Sequence, residues 1–196
     1  MTETAAGTDE FIAAFVAAIG SGMPLFADER PDLSPLTQAL TRPGTATDVP
    51  ASDGLEALAF MDAALVAARS YSPSVGQLAE ALAALAPRLP WYRRPEPELD
   101  GFMPGHANAY VVGPRGIETR PGAEIGVTLM APGVAYPTHH HPPREMYVAL
   151  SEGEWFQEDL GWRRPGPGGL VYNPADVTHA MRAGTAPLLA VWGLWH

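Results

Sequence analysis

The sequence predicts a mainly β fold in which a small barrel or jelly roll forms the C-terminal half and helices form the N-terminal half. The chain changes character near residue 100, from alanine-rich stretches with helical spacing to short apolar strands separated by turns. The 196 residues include 20 glycines and 21 prolines, which favours an all-β unit with many turns. With 46% hydrophobic and 17% charged residues, the chain is typical of a globular protein and not of a disordered one.

The N-terminal half contains four stretches whose apolar residues recur at the spacing of an amphipathic helix. We predict helices over residues 8–19, 33–40, 53–69 and 74–86. The following stretch, 88–104, is rich in proline and aromatic residues, which is typical of an extended linker or of a strand packed on the barrel. We therefore expect a helical region with its linker over residues 1–104 and a barrel over residues 105–196.

The C-terminal half contains eight short stretches that have the composition of strands and are bounded by proline or glycine turns. They cover residues 109–112, 124–130, 135–139, 145–150, 154–157, 169–172, 178–182 and 188–192. Short, evenly spaced strands in this number indicate a jelly roll or a small barrel.

Composition narrows the choice of partners. The net charge of −10 makes nucleic acid and anionic membrane surfaces poor partners, because like charges repel. Cysteine is absent, so any metal would be held by nitrogen and oxygen ligands. The first residues show no signal-peptide pattern and no stretch has the length of a transmembrane span. We expect a cytoplasmic protein that acts on a small molecule as a monomer or homodimer.

Three consecutive histidines lie inside the chain, just before an acidic and an aromatic residue. Alternate residues of a strand line the same face. The odd-numbered residues His139, His141, Glu145 and Tyr147 therefore share one face if the chain stays extended across the intervening prolines, and His140 points the other way.

These side chains predict a mononuclear metal site formed by His141, Glu145 and His179 of a later strand. Buried ionisable groups cost several kcal/mol unless they are paired or bind a metal. Imidazole and carboxylate suit one divalent transition metal such as Fe, Mn or Zn, with Ni or Co also possible. The alternative is a hydrogen-bonded polar cluster without a metal. His106, His140 and His196 are expected to be surface or loop residues.

Two motifs in this half resemble those of the cupin superfamily. The first is Gly133-x5-His139-x-His141-x3-Glu145, and the second is Gly168-x5-Pro174-x-Asp176-x2-His179, with Asp176 where cupins usually have glycine. The resemblance implies a double-stranded β-helix, that is, a jelly-roll barrel. Cupins host many activities, so the fold alone does not identify a function.

A narrower resemblance covers most of the chain. The strings His139–Tyr147, Glu152–Trp155 and Tyr172–Pro174 are similar to those of the cupin-type dimethylsulfoniopropionate (DMSP) lyases, especially the Q-type branch. This family uses four metal ligands, and the resemblance implies that they are His141, Glu145, Tyr147 and His179. It further implies that His139 lies near the metal and that Tyr136 is the family's tyrosine before the histidines.

The resemblance implies a carbon–sulfur lyase of the dimethylpropiothetin dethiomethylase type, which forms dimethyl sulfide and acrylate by β-elimination. The metal would hold the substrate carboxylate. Tyr147 is the first candidate for the base that removes the α-proton, and Tyr136 is the alternative base or a substrate-orienting group.

The sulfonium of such a substrate binds best to aromatic faces. The aromatic candidates are Trp155, Phe156, Tyr172, Trp192 and Trp195. Strand parity places Trp192 and Trp195 on opposite faces. We expect His139, Trp192 and Tyr136 to contact substrate. Two alternatives stay open: a cupin Fe(II) dioxygenase acting on a small acid, and a non-catalytic cupin that binds a small ligand.

Overall fold

The computed structural model describes residues 3–95 and 101–196. Part of the predicted linker, residues 96–100, lies outside the described residues. The helices are α1 Glu3–Ile19, α2 Ser34–Thr41, α3 Met61–Arg69, α4 Pro73–Leu85 and α5 Phe102–Gly105, with 3₁₀ turns at Glu56–Phe60 and Ala86–Arg88. The strands are β1 Thr45–Ala46, β2 His106–Val112, β3 Glu118–Thr119, β4 Glu124–Met130, β5 Ala135–His139, β6 Arg144–Ala149, β7 Glu154–Gln157, β8 Gly161–Arg163, β9 Leu170–Asn173, β10 His179–Arg182 and β11 Leu188–Trp195.

The strands form two sheets that face each other. The large sheet has the order β1-β3-β2-β4-β11-β6-β9, and the small sheet has the order β5-β10-β7-β8. The pairs in both sheets are antiparallel, except that β2 runs parallel to β3. This two-sheet architecture with helices in the N-terminal half confirms the predicted fold class, a mainly β cupin barrel.

The large sheet is buried on both faces, which explains its nearly continuous apolar strands. Alternate residues of β11 show the two environments. Ala190 and Trp192 pack toward the small sheet in a cluster that includes Trp155 and Met181. Val191 instead joins the larger cluster formed with the helices. The N-terminal helices therefore cover the outer face of the large sheet.

Three departures from the sequence predictions concern local structure. The predicted helix at 53–69 begins only at Met61, because Phe60 has the backbone angles φ −94° and ψ −1° and ends a 3₁₀ turn. The strands β1, β3 and β8 were not predicted, since two or three residues are too few to show an alternating pattern. The N-terminal half also supplies β1 to the edge of the large sheet. The division at residue 104 stays a prediction.

No helix in the described part of the chain combines the length and the apolar character needed to cross a bilayer.

Candidate metal centre

Two rows of paired residues, one from each sheet, face each other at one end of the barrel. In the small sheet, His179 of β10 lies between His139 of β5 and Gln157 of β7. In the large sheet, Glu145 of β6 pairs directly with Asn173 of β9. Strand register therefore brings together residues that are far apart in the sequence.

Backbone carbonyls fix the three histidine rings in the same protonation pattern. The Nδ1 atoms of His139, His141 and His179 lie 2.8, 2.9 and 2.9 Å from the carbonyl oxygens of residues 137, 143 and 177. A carbonyl accepts only, so each Nδ1 carries a proton and donates it. In a neutral ring, Nε2 then has a free lone pair, which is the arrangement that metal-binding histidines adopt. One nitrogen from each ring lies within 4.8 Å of the others.

The Glu145 carboxylate completes this group, which we call the histidine cluster: His139, His141, His179 and Glu145. Its Oε2 atom lies 3.4 Å from Nε2 of His141 and 3.2 Å from Nε2 of His179. Glu145 and His179 are 4% and 2% exposed. Apart from this contact with Glu145, the buried Nε2 of His179 has no hydrogen-bond partner among the described residues. Buried electron-pair donors thus point at one another, and a cation between them would satisfy all of them.

The pKa values in the cluster agree with this arrangement. Burial and the neighbouring His179 lower the pKa of His139 to about 3, so its ring is neutral. Burial would raise the pKa of Glu145, but hydrogen bonds and charge from His141 and His179 hold it well below its usual range. Burial likewise opposes protonation of His141, yet the hydrogen bond and charge of Glu145 raise its pKa.

An amide network behind Glu145 orients its carboxylate. Asn173 Nδ2 donates to Glu145 Oε2 at 3.0 Å, and Gln157 Nε2 donates to Asn173 Oδ1 at 3.0 Å. Asn173 and Gln157 are 1% and 3% exposed. The sequence analysis did not predict that Asn173 and Gln157 orient Glu145. An amide residue at the end of an apolar strand is the sequence feature that could have indicated these roles.

The loop of the second motif is joined to the first motif through Asp176. Its backbone N–H donates to the His141 carbonyl at 2.9 Å, and its φ is 58°. A positive φ explains why cupins usually have glycine here, and aspartate is one of the residues that tolerates it.

Both tyrosines lie beside the cluster and line the same cavity. Tyr147 is 2% exposed and hydrogen-bonds with Glu145. Burial, followed by the charge of Glu145, raises the pKa of Tyr147 well above its usual range. The Tyr136 ring lies 5.2 Å from the His139 ring, and its hydroxyl accepts from Asn108 Nδ2 at 3.3 Å. Burial also raises the pKa of Tyr136, while the charge of Arg94 acts in the opposite direction.

A β-bulge brings Tyr136 into the barrel beside His139. Simple alternation would place residues 136 and 139 on opposite faces. In the structure, His179 pairs with His139 and Met181 pairs with Tyr136, so β5 holds one extra residue in this interval. Both side chains therefore face the same interior.

Trp192 is held by a hydrogen-bonded chain along the cavity. Its Nε1 donates to Thr128 Oγ1 at 3.1 Å, and Thr128 Oγ1 donates to Asn108 Oδ1 at 2.6 Å. The chain continues to the Tyr136 hydroxyl through Asn108. Gly126 pairs with Trp192 across the sheet, and a Cβ there would clash with the indole ring. Asn108 and Thr128 were not predicted, although both interrupt apolar strands.

The aromatic candidates lie on different faces of the sheets, and Trp192 and Trp195 lie on opposite faces of β11, as strand parity predicted. Trp155 and Trp192 belong to the cluster between the sheets. Trp195 and Tyr172 pack with the helix-covered face. The Phe156 ring packs at a tilt of 46° against Trp162, which is 37% exposed.

His106 corrects one expectation. It was expected on the surface or in a loop, but it is fully buried at the start of β2. Its Nε2 accepts from the Arg94 backbone N–H at 2.8 Å, and its Nδ1 donates to the Phe102 carbonyl at 2.5 Å. Both ring nitrogens are satisfied by backbone groups, which makes its burial possible. His140 and His196 are exposed, as expected.

A cavity of about 310 Å³ opens onto the histidine cluster. Its lining includes His139, His141, Glu145, Tyr147, Tyr136 and Trp192, six of the seven predicted site residues. The seventh, His179, lies 3.2 Å from Glu145. The volume is within the range of small-molecule sites, so the arrangement can hold a metal and a small ligand together.

Comparison with known proteins places this geometry in a family. Residues 33–190 match the family model described as dimethylsulfoniopropionate lyase. The DMSP lyase DddQ of Ruegeria pomeroyi is 34% identical over 91 residues, which are 46% of this chain and 45% of that protein. The putative DMSP lyase DddL of Cereibacter sphaeroides is 30% identical over 112 residues, 57% of this chain and 47% of that protein. The matched part of the chain thus spans about half the length of each of these curated relatives.

Two solved structures share the fold along nearly the whole chain. A chain from the crystal structures of the DMSP lyases RdDddP and RnDddQII has a TM-score of 0.73 at 21% identity, covering 99% of this chain and 94% of that one. DddQ from Ruegeria pomeroyi DSS-3 has a TM-score of 0.70 at 22% identity, covering 100% and 93%. The likenesses to these structures show a common architecture, and the family match extends over most of the sequence. The chain therefore belongs to the dimethylsulfoniopropionate lyase family.

Proposed function

We propose that the protein is a metal-dependent lyase that cleaves DMSP into dimethyl sulfide and acrylate. One observation carries the proposal: the histidine cluster directs unprotonated donors at one another beside a ligand-sized cavity. Membership of the family supplies the substrate and reaction class. In its curated relatives, the printed names specify DMSP lyase, and the proposal extends that activity to this chain.

The residues that would hold the metal are His139, His141, His179 and Glu145. Their geometry favours adding His139 to the ligand set expected from the sequence. Tyr147 stays a proposed ligand, since its hydroxyl is next to Glu145. When bound, the metal would act as a Lewis acid that withdraws charge from the substrate carboxylate. Three imidazoles and a carboxylate suit Fe, Mn or Zn, and also Ni or Co, so the metal must be identified by measurement.

Tyr147 is the proposed general base, and Tyr136 is the alternative. The base would act as its phenolate, the form that a neighbouring cation favours, and it accepts the α-proton of the substrate while the electron pair of that C–H bond forms the α–β double bond. The bond between the β-carbon and sulfur breaks, and its electron pair leaves with sulfur as neutral dimethyl sulfide. Acrylate retains the carboxylate. Both tyrosines face the cavity, which satisfies the geometric requirement for a base before any question of pKa.

Trp192 is the proposed partner of the sulfonium. Its ring lies between the sheets and is 6% exposed, and its indole N–H is fixed by Thr128. A sulfonium has no hydrogen-bond donors, so an aromatic face attracts it at about 0.5–2 kcal/mol per contact. His139 and Tyr136 would complete the substrate contacts.

The test is to supply DMSP without oxygen and to measure dimethyl sulfide in the headspace and acrylate in solution, together with the bound metal. We expect equal amounts of both products. Products that form only with oxygen would support the dioxygenase alternative, and no turnover with any of the five metals would support a binding protein. Tyr147→Phe and Tyr136→Phe are the paired variants: the base variant loses most turnover while it keeps bound metal. The cytoplasmic location and the monomeric or homodimeric state remain predictions.

A further inference from the structure

The cavity is lined by positive charge, although the chain carries a net charge of −10. Among the described residues, three arginines and one carboxylate line it. Arg93 forms an ion pair with Glu56. The Arg115 guanidinium lies over the Tyr92 and Tyr110 rings, 4.4 and 5.0 Å from their centres. These two arginines lie against partners away from the histidine cluster, whereas Arg94 forms no ion pair with any other described residue.

Arg94 faces the reaction site from the segment before α5. Its Cζ lies 5.6 Å from the centre of the Tyr136 ring, and its guanidinium hydrogen-bonds with the Tyr136 hydroxyl. Its charge also acts on His139 and Tyr147. The guanidinium thus lines the same cavity as Tyr136 and His139, so a carboxylate bound there would meet its positive charge.

His106 fixes the main chain of Arg94 in this place. It accepts the Arg94 backbone N–H and donates to the Phe102 carbonyl, and its ring stacks on Phe102 at 3.7 Å with an interplanar angle of 5°. Phe102 in turn contacts Tyr136 edge-on at 5.1 Å. A fully buried histidine with no part in the proposed reaction therefore connects the Arg94 segment to the wall of the cavity.

We propose that Arg94 binds the substrate carboxylate and selects carboxylate-bearing ligands, and that His106 is its positioning residue. The planar guanidinium matches a carboxylate with two parallel hydrogen bonds. The same positive charge repels a sulfonium, so it orients the substrate with its cationic end toward Trp192. The identity of the substrate rests on the proposed function, whereas carboxylate binding by Arg94 is tested separately.

The experiment uses two small probes, each of which carries only one of the two charged groups of the substrate. Propionate carries the carboxylate alone and trimethylsulfonium carries the sulfonium alone, and each is titrated into the full-length protein as isolated, by calorimetry. We expect Arg94→Gln to weaken propionate binding by about tenfold or more, the size typical of a lost charged hydrogen bond. Trimethylsulfonium binding stays the same or tightens, because a like charge has been removed.

Two further variants of the same segment sharpen the result. Arg93→Gln removes the same charge one residue away, and we expect less than about a twofold change in propionate affinity because Arg93 is held by Glu56. Arg94→Lys keeps the charge but loses the planar fork, so its propionate affinity is expected to be intermediate.

The role of His106 is tested with two replacements that differ in hydrogen bonding. Gln at this position can both donate and accept, whereas Phe retains only the stacking on Phe102. We expect His106→Phe to weaken propionate binding toward the level of Arg94→Gln, and His106→Gln to retain most of it. A purely structural role would lower the melting temperature of both variants without changing the ratio of propionate to trimethylsulfonium affinity.

The outcomes separate this proposal from the proposed lyase activity. Equal loss of both ligands in Arg94→Gln, no loss of either, an equal effect of Arg93→Gln, or no saturable propionate binding to the wild type would each overturn the role of Arg94. Dimethyl sulfide production with any of these results leaves the lyase in place. Arg94-dependent propionate binding without dimethyl sulfide production removes the lyase instead and keeps the carboxylate site.

Discussion

Two groups of charged side chains in the described part of the chain are centred on buried residues, and they differ in whether their members satisfy one another. The first is the histidine cluster between the sheets. The second, which we call the arginine cluster, joins Arg120 to Glu118 of β3, to Asp9 of α1 and to the Leu40 carbonyl of α2. The side chains of Arg120 and Glu118 are 6% and 7% exposed.

The arginine cluster is complete in itself. Arg120 donates to Glu118 at 2.5 Å and to Asp9 at 2.5 Å, and also to the Leu40 carbonyl. Burial opposes its charge, but the hydrogen bonds that Arg120 donates to Glu118 and Asp9 raise its pKa. In the histidine cluster, the Nδ1–H groups of the three histidines instead donate to backbone carbonyls outside the cluster. Their Nε2 lone pairs and the Glu145 carboxylate, which can only accept hydrogen bonds, face inward. A structural cluster closes on itself, whereas the histidine cluster leaves a position for a ligand.

The largest effect is expected when one proposed metal ligand of the histidine cluster is removed. We expect His179→Ala to reduce bound metal from about one equivalent to near zero and to lower dimethyl sulfide production at least about 10³-fold, since metal activation is worth several kcal/mol. The free energy of unfolding of the metal-free protein should fall by less than in Arg120→Met, because the His179 ring makes one side-chain hydrogen bond to a backbone carbonyl and leaves no buried carboxylate without its partner. Metal analysis, headspace assays and urea unfolding with a chelator measure the three quantities.

His140→Ala is the matched control, since His140 is exposed beside the same cluster. It should retain both metal and turnover. Loss of folding in His179→Ala with metal still bound to the folded fraction would contradict the contrast between the two clusters.

The second prediction reverses the first: stability is lost and metal binding is kept. Arg120→Met leaves the Glu118 carboxylate buried without its partner, so we expect a loss of about 3–5 kcal/mol in the free energy of unfolding. Metal per folded molecule should not change, because this cluster is separate from the histidine cluster. Urea unfolding and metal analysis of the folded fraction provide the test, with exposed Arg163→Met as the control. A stable variant that has lost its metal would refute this assignment.

A smaller effect is expected for the amide that orients Glu145. Asn173→Ala should weaken metal binding about 10- to 100-fold, the usual effect of removing a partner of a ligand. Competition with a chelator measures the affinity. Asn108→Ala is the comparison, because Asn108 contacts the Tyr136 hydroxyl and not Glu145. Equal metal affinities in the two variants would show that Asn173 does not act through the carboxylate.

Much of the fold and the centre of the site could be predicted from the sequence, because they depend on local pattern. Short apolar stretches between turns predicted β4 and β11, and strand parity with the two cupin-like motifs predicted that His141, Glu145 and His179 meet. Features that depend on register could not be predicted. The bulge that turns Tyr136 inward and the pairing of Asn173 with Glu145 arise only when strands distant in sequence align.

The misplacement of His106 has a similar physical cause. Its burial depends on the segment before α5 returning to the barrel, where the Arg94 N–H meets the imidazole ring. Local composition around His106 contains no sign of this contact. A lone histidine is exposed more often than it is fully buried, so the sequence predicts a surface position for His106. The tertiary hydrogen bonds to Arg94 and Phe102 make its burial possible.

The smallest expected effect concerns this same residue and acid stability. Burial, then the charges of Arg93 and Arg94, lower the pKa of His106 below its ordinary value of 6.5. The ring stays neutral in the folded protein but takes up a proton in the unfolded chain as the pH falls below about 6.5. The unfolded state then binds more protons, so stability is full above this pH and declines toward the lower, folded pKa.

We expect the wild type to lose up to about 1.4 kcal/mol of unfolding free energy per unit of pKa shift across this pH window, and His106→Gln to lose less. Urea unfolding between pH 7.5 and about pH 5, with a chelator in both samples so that metal release contributes equally, measures the difference. Parallel curves for the two proteins would show that His106 titrates alike in the folded and unfolded states, which would contradict the lowered pKa of the buried ring.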